Sequence, residues 1–281
     1  MYIAIDFGIS NTDIAVSKNE ETSFFSTPTL STTISPNTIR DLFKKHNIPI
    51  SSVQIIGVTG GKSSDLDNSI EGIKIVKINE IEAIGLGAKK LYDIKDEPAL
   101  VVSAGTGTAC VHIQGNDFNH LGGIAVGGGM LEGLGSLLFK NSNGLEINEF
   151  ANQGSRSELD LLIGDVVNEI GNLAPEITAV NFGKAKHSSA DTMENTAAAL
   201  CNMIGEVIGT VAYLNAFLIG SDAAYFTGRT SYLSEIMNGI NQRLDIAGVK
   251  AKYSNNREYA NAIGVLEKIN NFTKKNYVSK V

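Results

Sequence analysis

Residues 101–132 read V-V-S-A-G-T-G-T-A-C-V-H-I, a short polar gap, then H-L-G-G-I-A-V-G-G-G-M-L-E. Residues 99–102 suit a buried strand, Gly105-Thr106-Gly107-Thr108 interrupts it, and residues 109–113 resume it. Gly115-Asn116-Asp117 is turn chemistry. Gly122-Gly123 and Gly127-Gly128-Gly129 follow, and residues 130–139 after them can be helical. A triple glycine that opens a helix lets backbone approach a ligand closely and aims free N–H groups at it. A tight turn would account for one such cluster. Two in succession predict a phosphate ester, such as a nucleotide, held between them.

The chain of 281 residues is long enough for one large domain or two modest lobes. Its net charge of −7 disfavours nucleic acid and anionic membrane as partners, because both need a basic surface. Cys110 and Cys201 form no C-x-x-C pair, which argues against a thiolate metal cluster or a disulfide framework and fits a reducing cytoplasm. Asp6 interrupts the first apolar run and no basic region precedes it, so no targeting segment is expected. Residues 207–221 are the most membrane-like stretch, but they are short for a span and follow Glu206; they read as a buried helix.

Residues 2–5 form a strand, Asp6 to Asn11 a turn, and residues 12–17 a second strand. An Asp that ends a strand ahead of Gly8 and Ser10 makes a candidate phosphate hairpin, with Asp6 placed for a hydrated Mg²⁺. Residues 24–35 read as edge strand and loop, 38–46 as a helix, 53–59 and 73–78 as strands, and 80–92 as a helix. Lys95-Asp96-Glu97-Pro98 is a polar connection, which divides the chain into an N-terminal lobe (residues 1–95) and a C-terminal lobe (96–281). Residues 147–153 and 157–169 read as helices, 175–186 as loop, and 194–218 as a long helix with apolar residues at three- and four-residue spacing. Residues 223–227 form a strand that stops at Gly228, 231–244 a helix, 249–253 a strand, and 260–269 the final helix. Strands recur singly and in hairpins with helices after them, so the fold class is α/β, with two lobes of similar plan.

The string from His120 to Gly135, H-L-G-G-I-A-V-G-G-G-M-L-E-G-L-G, closely resembles the R-V-G-G-x-x-x-G-G-G-x-x-x-G-L segment of the type II (eukaryotic-like) pantothenate kinases. That family's D-x-G-G-T-x-x-K, E-x-D-A, G-T-G-T and (S/N)-F-G have counterparts at Asp6 to Asp13, Glu80 to Ala83, Gly105 to Thr108, and Asn181 to Gly183. Order and spacing agree over nearly the whole chain. The resemblance implies an actin-like, hexokinase-like ATPase fold with mixed sheets flanked by helices. It also implies a dimer that phosphorylates pantothenate with Mg-ATP, the first step of coenzyme A synthesis.

The resemblance further implies site roles. Glu80 corresponds to the catalytic carboxylate that accepts or orients the proton of the substrate hydroxyl. Asp6, Gly8, Ser10, Asn11 and Thr12 would meet the nucleotide from one side, with Asp6 holding Mg²⁺ through water. Gly105, Thr106, Gly107 and Thr108 would meet it from the other. Gly127, Gly128, Gly129, Met130, Leu131 and Glu132 would line it, and Gly228 would lie near the base. Glu80, Ser103, His120 and Tyr253 would contact the substrate, Tyr253 at a position that reaches the partner subunit.

Two departures from the pattern matter; Ile9 in place of the second Gly of the first motif and Ser10 in place of its Thr are milder. Asp13 stands where the family has its phosphate-binding Lys, and His120 where it has an Arg that contacts pantothenate. An anion beside the phosphates predicts repulsion of ATP, and imidazole cannot replace a permanent two-pronged guanidinium. The alternatives are a weak or non-catalytic member that binds nucleotide or acyl-CoA, and a kinase of another small hydroxylated substrate. Activator ATPases of the same fold hold an iron–sulfur cluster between subunits, which the cysteine placement here argues against.

Overall fold

Two copies of one strand plan make up the frame. The computed structural model describes residues 1–19, 21–29, 33–167 and 174–278, the last seven as backbone only. In the first sheet, β1 (Tyr2–Phe7), β2 (Asn11–Lys18) and β3 (Glu21–Pro28) form an antiparallel meander. On the other flank of β1 lie β4 (Ile55–Thr59) and β6 (Ile73–Lys77), parallel to it, with β5 (Ser69–Ile70) at the edge. In the second sheet, β7 (Ala99–Ala104), β8 (Thr108–Gln114) and β9 (Asp117–Ile124) repeat the meander. There β12 (Ala223–Thr227) and β13 (Lys250–Tyr253) take the parallel places. The orders β3-β2-β1-β4-β6 and β9-β8-β7-β12-β13 therefore match strand for strand. Parallel strands flanked by helices are covered on both faces, and Ile3, Ile5, Leu100 and Val102 are fully buried.

The helices are α1 (Pro36–Lys45), α2 (Glu80–Tyr92), α3 (Gly128–Phe139), α4 (Gly144–Ala151), α5 (Ile163–Val166), α6 (Met193–Ile219), α7 (Ser234–Ala247) and α8 (Ala260–Val278). Ser35 caps α1 with Pro36 behind it, Asn79 caps α2 and Thr192 caps α6, each by accepting a backbone N–H in the first turn. The length and apolar character of α6 would suit a membrane span, but about 67% of its most apolar window is buried inside the protein. It packs against α7 and contributes Leu200, Cys201, Ile204 and Ile208 to the core of the second lobe. The sheets divide between Lys77 and Ala99. The final helix nevertheless crosses back: Ala262, Val265, Leu266 and Ile269 of α8 pack on Ala4, Ala15, Ile78 and Ala83. By packing, α8 therefore joins the first sheet rather than the second lobe in which its sequence position puts it.

Residues 157–167 are not one helix. A 3₁₀ turn (Arg156–Glu158) leads to β10 (Leu161–Leu162), which pairs with β11 (Thr178–Val180), and α5 follows. The fully buried Asp160 decides this: it accepts the N–H of Phe182 at 2.8 Å and a hydrogen bond from Asn202 at 3.2 Å. Tertiary pairing outweighs the helical pattern. Residues 168 and 169 of the expected helix lie outside the described residues, as do 30–32 of the expected first-lobe loop. Residues 175–186, expected as loop, contain β11.

Candidate active site

Because the lobes share one plan, their first hairpins have equivalent turns, and the fold sets these tip to tip. Ser10 Oγ and Thr106 Oγ1 are 2.8 Å apart. A cleft of about 980 Å³ opens beside them, lined among others by Asp6, Gly8, Ser10, Asn11, Glu80, Ser103, Gly105, Thr106, Gly107 and Thr108. Gly128, Gly129, Leu131, Glu132 and Gly228 line it as well. The structure thus gathers into one cleft most of the residues singled out from the sequence.

The N–H groups of Gly8, Ile9, Ser10, Thr106 and Gly107 make no hydrogen bond to the described residues and are available to an anion. The triple glycine serves a different purpose from the one its sequence suggests. Gly128 N–H donates to Gly105 O at 2.8 Å and Gly129 N–H to Thr106 O at 2.9 Å. A Cβ on Gly127 would stand 2.7 Å from Gly105 O and 2.8 Å from Thr106 O. The helix N-terminus of α3 is therefore spent on bracing the Gly-Thr turn, and the free donors sit on the hairpin tips. Gly228 has φ +87 and a Cβ there would stand 2.3 Å from Ala104 O, so glycine lets β12 end against the same turn.

Asp6 is nearly buried and accepts a hydrogen bond from Asn261 of α8 at 3.0 Å. Burial, then the charges of Asp13 and Glu80, push its carboxyl up to about 8. The carboxylates of Asp6 and Glu80 on the cleft wall are a setting that a hard divalent cation stabilises. The residues fit Mg²⁺ held mainly by nucleotide phosphates and water with Asp6 in support, since no cluster of three His, Cys, Asp or Glu occurs among the described residues. Glu80 is the first residue of α2, whose Asn79 cap accepts from Ile81 N at 2.9 Å, so the carboxylate is carried on a rigid helix end at the cleft wall.

Asp13 is not a bare anion against the phosphates. Arg229 donates Nη1–H to Oδ2 at 2.7 Å and Nη2–H to Oδ1 at 2.6 Å, and Nη2 also donates to Ser26 Oγ at 2.8 Å. Burial opposes the guanidinium charge, but the hydrogen bonds and charge of Asp13 outweigh it and hold the Arg229 pKa above its usual value. Five of the singled-out residues do not line the cleft of their own chain. Thr12 is buried, its Oγ1 3.2 Å from that of Thr29, and Met130 packs on the core of the second lobe. His120 lies exposed on β9. Tyr253 stacks on Phe226 with its hydroxyl donated to Asn241 at 2.9 Å. Gly127 stands just behind the lining, against the Gly-Thr turn.

The sequence profile of the Fumble family matches residues 12–265. The chain belongs to the Fumble family. Among its similar relatives is the type II pantothenate kinase of Oceanobacillus iheyensis, 30% identical over 218 residues that cover 74% of this chain and 80% of the relative. The type II pantothenate kinase of Bacillus anthracis is 32% identical over 192 residues, 63% of this chain and 67% of the relative. Solved structures share the fold, two of them as follows. The activator of the 2-hydroxyisocaproyl-CoA dehydratase from Clostridium difficile, with bound ADPNP, has a TM-score of 0.63 at 14% identity and covers 98% of this chain and 97% of its own. The ROK family glucokinase from Streptomyces griseus, with glucose and AMPPNP, has a TM-score of 0.59 at 13% identity, covering 95% and 98%. This Fumble chain therefore has the α/β actin-like ATPase fold.

Sequence reasoning missed Asn261, Tyr259 and Arg229 as residues of the cleft. Asn261 enters from the first turn of α8, which reads only as a packing helix, and Tyr259 from the 3₁₀ turn just before it. Arg229 carries one signal, a cation directly after a strand-ending glycine.

Proposed function

We propose that this chain transfers the γ-phosphoryl group of Mg-ATP to the hydroxyl of pantothenate, as a cytoplasmic homodimer. The observation that carries the reading is the meeting of two amide-rich hairpin tips in the same cleft as Glu80 and Asp6. The hairpin amides of Gly8 to Ser10 and of Thr106 and Gly107 receive phosphate oxygens from the two lobes. Thr106 and Ser10 add hydroxyl donors. Bound Mg²⁺ would supply charge neutralisation on the phosphates, and Asp6 would help hold it. Glu80 orients the acceptor hydroxyl and takes its proton as the bond to phosphorus forms. In a loose transition state position counts for more than base strength. Leu214, Phe217 and Leu218, exposed at the end of α6, support the dimer.

A second reading, phosphoryl transfer to another small hydroxylated acceptor, is favoured by His120 lying exposed on β9 rather than in the cleft. A coupled ADP-release assay across pantothenate, pantetheine and simple sugars separates the two. Glu80→Gln should reduce turnover by at least about a hundredfold, the lower range of general-base contributions. Binding of a non-hydrolysable ATP analogue should stay within about twofold, because the exchange is isosteric. Parent-like turnover by this variant would remove Glu80 from the chemistry.

A further inference from the structure

The cleft has an unusual charge inventory for one that takes a polyphosphate. Among the described residues its lining holds five carboxylates, two guanidiniums and no lysine. Arg257 is committed elsewhere: its Nε–H donates to Ser231 Oγ at 2.8 Å, Nη2 to Ser231 O at 2.8 Å and Nη1 to Ser254 O at 2.9 Å, with Tyr232 covering its face at 3.4 Å. Arg229 is the remaining cation among the described lining residues. Its backbone leaves Gly228 directly against Ala104 and Gly105. Thr230, next in the chain, donates to Gly105 O at 2.7 Å and accepts from Gly128 N–H at 3.0 Å. The Arg229 side chain reaches across the cleft to Asp13, which stands opposite Asp6 in the β1–β2 ladder. Arg229 thus spans the ground between the two hairpins.

We infer that Arg229 is the cation that receives the nucleotide's phosphates, and that Asp13 is its positioning residue, holding the guanidinium across the cleft; this rests on the kinase reading above. The hydrogen bonds support it. Asp13 is 4% exposed and takes two of the guanidinium N–H groups in the planar fork that carboxylates favour. Ser26 takes a third. Nε–H and one Nη1–H keep no partner among the described residues, and 37% of the Arg229 side chain stays exposed at the cleft. A latch that served only to hold the lobes together would have no use for unspent donors in the ligand space. Asp13, counted from the sequence as repelling ATP, then aids its binding by fixing the cation in place.

The test is calorimetric binding of Mg²⁺ with a non-hydrolysable ATP analogue, and of adenosine, to the full chain, with thermal unfolding of every variant. Arg229→Gln should weaken the analogue about tenfold or more, the loss of charge-assisted hydrogen bonds, while adenosine changes less than about twofold. Arg229→Lys, which keeps the charge without the fork, should fall between parent and Gln and serves as the variant whose fold is least disturbed. Asp13→Asn should cost about threefold to tenfold alone and nothing further in the Arg229→Gln background. If Arg229→Gln binds the analogue as the parent does, or loses analogue and adenosine in equal proportion, Arg229 is only a structural tie and the inference falls. If Asp13→Asn costs the same in both backgrounds, its positioning role falls. A parent that binds neither ligand overturns the kinase reading itself, which no result on the variants can imitate.

Discussion

The position of Glu80 depends on a contact with no room in it. Where α2 and α8 cross, a Cβ on Gly264 would stand 1.9 Å from Ala83 O and 2.7 Å from Gly87 N; a Cβ on Gly87 would stand 1.9 Å from Ala260 O. Carbon and carbonyl oxygen in contact need about 3.3 Å. Gly264→Ala therefore falls short by about 1.4 Å, and both partners are helix backbone, which cannot rotate aside as a side chain can. The helices must part by about that much along the seam where Ala83, Val265 and Ile269 pack on the first sheet. Overpacking costs about 1–3 kcal/mol in general, and backbone-on-backbone overlap belongs at the upper end, about 3 kcal/mol. That corresponds to a fall in Tm of roughly 6 °C or more for a domain of this size. Glu80 leads α2, so the shift carries the carboxylate with it, and a displacement of about 1 Å can cost on the order of a hundredfold in kcat. Urea unfolding and steady-state kinetics measure the two effects on one preparation. Gly133→Ala is the control: it lies in α3 with nothing within 4 Å of the added Cβ and should gain about 0.5–1 kcal/mol from helix propensity. If Gly264→Ala unfolds within about 1 kcal/mol of the parent and turns over within about threefold, the crossing is more compliant than this reasoning allows.

Asp6 gives a pH signature. Its carboxyl is raised from 3.8 to about 8 in the fold, so the folded state holds a proton that the unfolded chain releases. Its share of stability is then present below pH 4 and lost as pH rises towards 8; ligand-free Asp6→Asn should melt progressively higher relative to the parent from pH 5 to pH 8.5. Parallel melting curves across that range would show that Asp6 is not protonated in the fold. The exposed Leu214 and Phe217 on α6 predict that changing both to Ser lowers self-association, read by sedimentation equilibrium against the chain mass of 29.9 kDa. A parent that sediments at that mass at micromolar concentration would refute the dimer.

The parts of the site legible in the sequence are those built from neighbours. Each hairpin announces itself through a strand, a glycine turn and a returning strand, and the fold merely brings two such local units face to face. The helix that Glu80 opens is legible because a helix start is local too. What could not be read is what the chain joins over distance. Asp13 and Arg229 are 216 residues apart, and nothing near either signals the other. Asn261 reaches Asp6 across 255 residues because α8 returns to the first sheet. The misread helix at 157–167 has the same origin, since Asp160 is fixed by Phe182 and Asn202 from distant elements. The triple glycine shows the subtler failure. Its location was legible, but whether its N–H groups face a ligand or the neighbouring turn depends on which carbonyls arrive opposite them.

The pairing of Asp13 reverses the sign of an effect that the sequence predicts. Read alone, an anion in place of the family's Lys should repel ATP, and Asp13→Lys should improve the enzyme. In the structure that substitution sets an ammonium against the Arg229 guanidinium, at a site where the carboxylate it replaces is 4% exposed. At an effective dielectric of about 20 and a separation of about 4 Å, two like charges repel by about 4 kcal/mol, and the lost attraction is of the same size. The long lysine stem can swing its charge towards solvent, and Arg229 is itself partly exposed. The cost therefore settles near the lower end of that for breaking a buried pair, about 3 kcal/mol. Asp13→Lys should melt lower than the parent and show a higher KM for Mg-ATP, while Asp13→Lys combined with Arg229→Glu should recover stability by re-forming the pair with its charges exchanged. Nucleotide affinity should not recover in step, because the cation then extends from β2 and not from the Gly-Thr turn. An Asp13→Lys variant with parent-like stability and a raised specificity constant for ATP would mean that the phosphates do meet Asp13 directly, and the pairing with Arg229 would carry no weight in binding.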